Sequence, residues 1–139
     1  MNERLTEVVE ALNGATTVEG LVMAAEIIDR EEQMAKVTVE SREELPMILD
    51  INDDQILVMT NLWGAEEVKK GVEAEMMSTM LSMNIPLPLS SFAKTGSQYQ
   101  LFGALSVESR DEVIVQEVEL LSSNAEAVLD TFSVYLDEL

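Results

Sequence analysis

Leu45-Pro-Met-Ile-Leu-Asp-Ile51 and Gln55-Ile-Leu-Val-Met-Thr-Asn-Leu62 are separated only by Asn52-Asp53-Asp54. Two apolar, β-prone runs about a short polar turn predict an antiparallel hairpin. Pro46 cannot donate to a ladder, so it belongs at a strand start or on an edge. Upstream, Lys36-Val-Thr-Val-Glu40 alternates with Val37 and Val39 on one side, which adds a third strand. Downstream, Leu89–Ala93 and Gln98–Val107 read as two short strands about the turn Lys94-Thr-Gly-Ser97.

Helices complete the pattern. Asn2 caps a first helix carrying Leu5, Val8, Val9 and Leu12, and Asn13-Gly14 stops it. The stretch from Val18 to Met34 is mixed; its Ala and Glu content favours helix over strand. A middle helix is expected from Ala65 to Asn84, after Gly64 and before Pro86. Ser109-Arg-Asp-Glu112 has the form of a capping box and should open a last helix running nearly to Leu139. The order α-βββ-α-ββ-α, with an optional second helix near the start, is that of an α+β domain: an antiparallel sheet with helices packed on it. One domain over residues 1–139 is expected, since no linker, repeat or low-complexity tract interrupts the chain.

Composition narrows the chemistry. Against 27 Asp and Glu stand 8 Lys and Arg, a net charge of -19, with no His and no Cys. So negative a chain is repelled by nucleic acid and by anionic lipid. Without Cys or His there is no thiolate, no imidazole base and no soft metal ligand. Asp50-Ile-Asn-Asp-Asp54 starts like a calcium loop, but Gln55 replaces the required Gly and Asn61 the closing Glu. Ser91-Phe-Ala-Lys94 and Lys94-Thr-Gly96 match two penicillin-binding signatures, yet one Lys cannot serve both. The six Gly form no phosphate loop. No cofactor or metal is expected, and binding is favoured over catalysis. The Met1-Asn-Glu-Arg4 start shows neither a signal peptide nor a membrane span, which points to the cytoplasm.

The two long helices suggest where binding occurs. On a helical wheel Val68, Val72, Met76, Met77, Met80, Leu81 and Met83 span roughly 220°, wider than the ~100° stripe a sheet-covering helix needs. Another element of the same domain, a subunit interface or a peptide-binding surface would account for the surplus. Met also suits surfaces that accept varied partners. Trp63, at a strand-to-helix corner, is a packing anchor or an exposed recognition residue. Phe92, Tyr99 and Phe102 would alternate faces, leaving at least one outward. In the last helix Ile114, Val118, Leu121, Ala125, Val128, Phe132 and Tyr135 form a core seam. Val113, Leu120, Ala127 and Val134 recur every seven on a second face, which would meet either a neighbouring helix or another subunit. Between the seams, Glu112, Glu117, Glu119, Glu126, Asp130, Asp137 and Glu138 read as a solvated acidic surface.

Arg42-Glu-Glu-Leu-Pro46, Gln55-Ile-Leu57, Leu62-Trp63, Pro88-Leu-Ser-Ser-Phe92 and Leu101-Phe-Gly-Ala-Leu-Ser106 resemble, in order, the YjfI-like family of small bacterial proteins of unknown function. Val118, Leu121, Asn124 and Tyr135-Leu136 are similar too, so the likeness covers roughly residues 36–139; residues 14–33 depart from it. The resemblance implies no catalytic residue. It does imply a link to phage-shock-A-like coiled-coil proteins, which members of the family accompany in genomes. The size, acidity and element order also resemble type III secretion chaperones, which implies a homodimer using its middle helix and holding an extended partner segment. The resulting expectation is a non-enzymatic, homodimeric, chaperone- or adaptor-like domain. Its interface would comprise Trp63, Met76, Met77, Met80, Met83 and Phe92. The competing expectation is an acidic nucleic-acid mimic that fills the basic groove of a DNA- or RNA-binding protein.

Overall fold

A computed structural model describes residues 2–137, with the side chain of Asn2 excluded. Helix α1 (Asn2–Leu12) leads into strands β1 (Met23–Asp29), β2 (Met34–Val39), β3 (Met47–Ile51) and β4 (Gln55–Gly64). Helix α2 (Glu73–Met83), strands β5 (Ser91–Thr95) and β6 (Gln98–Ser106), and helix α3 (Asp111–Phe132) follow. All six strands join one antiparallel sheet in the order β1-β2-β3-β4-β6-β5. α1 and α3 cover one face of it, and the core lies between.

The hairpin at residues 45–62 forms as its sequence requires. Ile51 pairs with Ile56, and the Asn52 side-chain oxygen accepts the amides of Asp54 and Gln55, closing the turn. That local turn chemistry gives Asn52 its role at this position. Leu49, Ile51, Ile56 and Val58 point into the core. Pro46 precedes β3 directly, where its missing N–H costs nothing. Gly96, at φ +59, turns β5 into β6.

Several expectations change. Residues 23–29 are a strand, not a helix: Met23 and Ala25 are buried while Ala24 and Glu26 are exposed, and β1 pairs with β2 from Met23↔Val39 onward. Partner strand and core overrode the helical bias of Ala and Glu. The middle helix begins at Glu73, not Ala65, because Gly71 adopts φ +88, which breaks a right-handed helix. The backbone before it instead pairs with the C-terminal segment. Lys69 donates its amide to Tyr135, and Asp137 donates to Glu67.

Ser109 does not cap α3. Arg110 takes that position, and the Ser109 carbonyl accepts the Arg4 guanidinium at 2.6 Å, fastening α1 to the start of α3. α3 itself ends at Phe132 with a 3₁₀ turn over Ser133–Tyr135, short of the expected end; the Asn2 side chain that would cap α1, and Leu139, lie outside what the structure describes.

The first seam of α3 is core: Ile114, Val118, Leu121, Ala125, Val128 and Phe132 are all buried. In the second seam, Val113 and Leu120 are partly buried, while Ala127 and Val134 lie open. Its acids are not uniformly solvated. Glu119 accepts the Val18 amide, Glu126 pairs with the buried Arg42, and Glu117 is only 3% exposed.

Candidate functional site

The edge strand β5 is flanked by two shallow apolar grooves. One, about 270 Å³, lies between α2 and the sheet edge, with Met77, Met80, Leu81, Phe92 and Tyr99 as its walls and Lys94 at its rim. The other, about 200 Å³, lies on the helix-free face of the sheet and is lined by Leu57, Met59, Ala93 and Phe102 with Thr95 and Gln100. β5 separates them because side chains alternate across a strand. Phe92 pairs with Leu101 toward the helices, while Phe102 turns to the open face.

The sequence-predicted residues divide between groove and core. Met77, Met80 and Phe92 come together in the α2 groove. Met76 is fully buried, and Met83 is half-buried against the core. Trp63 is also core: it lies inside β4, stacked on Phe132 at 5.7 Å between centroids and tilted against Tyr99 at 6.1 Å. Phe92 touches Phe132 at 5.3 Å, so one wall of the groove rests on a buried aromatic cluster. Such a wall is preorganised, which limits the ordering cost of binding.

The polar rim is built around Glu73. The Tyr99 hydroxyl donates to its carboxylate, and Lys94 approaches the same carboxylate at 3.9 Å and the Tyr99 ring at 5.3 Å. Burial, and then the neighbouring Glu73, pushes the Tyr99 hydroxyl up to about 12, so it stays protonated. The rim therefore presents a neutral phenol and a matched ion pair.

Sequence reasoning missed Tyr99, Ile85 and Leu89 as parts of this surface. A sequence signal did exist: from Met76 to Val107 there is no Asp or Glu, in a chain with 27 acids among 139 residues. The only formal charge in that stretch is Lys94. It holds most of α2, the connection to β5, and all of β5 and β6, so the acid-free sequence becomes one contiguous corner of the fold.

The same architecture recurs in solved structures. The chain superimposes on YbjN, a putative transcription regulator from E. coli, with a TM-score of 0.67 at 12% identity, covering 100% of this chain and 96% of that one. A chain of the HopA1–SchA chaperone–effector complex gives 0.59 at 10% identity, covering 93% and 95%. A chain of the ExsC–ExsE complex gives 0.57 at 16% identity, covering 93% and 90%. At such identities the likeness establishes fold: α+β, of the type III secretion chaperone kind. No curated protein matches the chain in sequence. No helix among the described residues is long and apolar enough to cross a membrane. The family model described as "Uncharacterized protein conserved in bacteria (DUF2170)" matches residues 3–136, and the chain belongs to that family.

Proposed function

We propose that this chain is a non-enzymatic protein-binding domain, chaperone- or adaptor-like, that acts in the cytoplasm as a homodimer and captures an apolar segment of a partner protein. One observation carries the reading: the two apolar grooves about β5 are walled largely by the acid-free stretch from Met76 to Val107 of a chain whose net charge is -19, with Glu73 at one rim. Apolar walls supply affinity through burial, at about 25 cal/mol per Å². The surrounding negative field draws partners with basic flanks toward the grooves. Chaperone–effector complexes of the same fold support the choice of a protein ligand. The YjfI-like sequence blocks make a phage-shock-A-like coiled-coil protein the first candidate partner.

A second reading is favoured by α3, whose outward residues include Glu112, Glu126 and Asp130 with no Lys or Arg after Arg110. In that reading the acids imitate phosphates for a basic nucleic-acid-binding protein. It is weakened by Glu119 and Glu126, which already hold the Val18 amide and Arg42.

Affinity capture from the native lysate separates the two, comparing the wild type with Phe102→Glu and washing at low and high salt. Apolar capture predicts a partner that survives high salt and is lost with Phe102→Glu. Partners that wash off with salt, are basic and ignore Phe102→Glu would establish the mimic instead.

A further inference from the structure

We propose that Glu117 is a proton-operated latch: as the neutral acid it donates to the Leu89 carbonyl oxygen and pins residues 85–90 to α3, and on ionising it frees them. This device lies beyond the proposed binding role and does not depend on it.

The latch seats on the bare backbone of Gly103, which pairs with Val58 in the interior of the sheet. Glu117 reaches it from α3, buried, with no N–H or O–H among the described residues bonded to Oε2. The Leu89 carbonyl oxygen reaches the same spot: a Cβ on Gly103 would meet both Glu117 Oε2 and, at 3.1 Å, that oxygen. A strand glycine admits so close an approach because it has no side chain. A carboxylate and a carbonyl can only accept, so brought together out of water they repel. One proton on the carboxyl turns the repulsion into a hydrogen bond.

α3 grips the segment at a second point. Two turns on from Glu117, Asn124 donates to the Pro88 carbonyl at 2.9 Å and to the buried Ser90 hydroxyl at 3.0 Å. Between the two grips Leu89 sits at φ +61, a left-handed conformation that a leucine keeps only while its surroundings hold it. Pro86 and Pro88 offer no amide, so the segment is poor in backbone bonds of its own; the Leu87 amide bonds Met83. Losing the Glu117 grip lets the Leu89 peptide relax, and the exposed Ile85 and Leu89 side chains move with it.

Burial governs the proton. One turn away on α3 stand Val113, Ile114, Leu120 and Leu121; residues 84–90 and β4 hold no ionisable side chain. β6 holds only Tyr99, kept protonated by burial and Glu73. On α1, Arg4 is taken by the Val107 and Ser109 carbonyls, and Glu3, Glu7 and Glu10 are exposed. Arg42 faces Glu126 and Ser122 farther along α3. Burial therefore holds the latched carboxyl above the ordinary range, to which it returns once freed into water. The latched state binds the proton more tightly, so it is complete below the ordinary carboxylate range and is lost as pH rises through the latched value. Each pH unit between the two is about a tenfold change in opening.

Two measurements on the whole chain test the latch. Carbon-13 NMR of the Glu117 Cδ follows the proton, and hydrogen exchange of amides between Asn84 and Phe92, corrected for intrinsic rate, follows the opening. Glu117 should titrate above the ordinary range, and exchange in the segment should accelerate about tenfold or more over the same rise. That exchange should be indifferent to low urea, the mark of local opening. Glu117→Gln, whose amide still donates to Leu89, should keep the segment closed at every pH. Asn124→Ala, lacking the other grip, should open at lower pH, which decides the matter even where the Gln variant folds poorly. A Glu117 that titrates in the ordinary range, segment exchange that is flat with pH or as urea-sensitive as global unfolding, or an opening pH unmoved by Asn124→Ala would each overturn the latch.

Discussion

Gly103 and Glu117 make the sharpest test of how α3 seats on the sheet. Glu117 is buried on α3 with its Oε2 unpartnered, lying against the bare backbone of Gly103 in β6. A Cβ at Gly103 would sit 2.9 Å from the Glu117 Cδ, closer still to Oε2, and 3.1 Å from the Leu89 carbonyl oxygen. Gly103→Ala gains about 0.4–1 kcal/mol from the unfolded chain's lost freedom. It loses about 1–3 kcal/mol to overpacking, because a buried carboxylate has little room to retreat. The clash wins.

For 139 residues the unfolding entropy is about 0.29 kcal/mol/K, so each net kcal/mol lowers Tm by roughly 3 °C. The assay is urea unfolding followed by Trp63, the sole and buried Trp, in a double-mutant cycle with Glu117→Ala. Removing the carboxylate should relieve the clash, giving a coupling of about 1 kcal/mol or more. An equal cost for Gly103→Ala in both backgrounds would show that Glu117 does not rest on Gly103.

The same pair predicts a pH response. Burial raises the Glu117 pKa in the folded state above that of the unfolded chain. Its contribution is therefore fully present below the unfolded carboxylate range and is lost as pH rises through the folded value. Relative to Glu117→Gln, the wild type should lose stability over that rise. A stability difference that is flat with pH would mean the carboxyl is solvated.

Two further outcomes follow from named contacts. Tyr99, raised to about 12 by burial and by Glu73, should resist deprotonation in an ultraviolet titration, and Glu73→Gln should lower its pKa; an unchanged Tyr99 in that variant would remove the contact with Glu73. Arg42→Met should destabilise by about 1–3 kcal/mol, because the buried guanidinium bridges Glu19 in the β1 approach and Glu126 on α3; a neutral result by chemical denaturation would show that these ion pairs add nothing.

Local sequence settled those parts of the fold whose signals are short-range. Alternation and turn chemistry wrote β2 through β6: Asn52 closes its hairpin by its own side chain, and Gly96 supplies a left-handed turn. Heptad spacing placed the buried seam of α3 from Ile114 to Phe132, while Tyr135 falls in the 3₁₀ turn beyond it, half-buried. The acid-free run from Met76 to Val107 was equally open to reading, since charge distribution needs no coordinates.

Tertiary structure decided the remainder, wherever a distant partner outbid local preference. β1 exists because β2 offers it a ladder, despite an Ala- and Glu-bearing sequence that suits a helix. Residues 65–72 leave the helix because Gly71 turns left-handed and Glu67 and Lys69 pair with the chain's last described residues. Met76 went to the core and Leu81 to solvent although both lie on one apolar arc, since only the position of the sheet fixes which side of that arc is covered. Glu117 was legible only as a charge; that it is buried against Gly103 depends on how α3 crosses β6, and no pattern along one element encodes the distance to another.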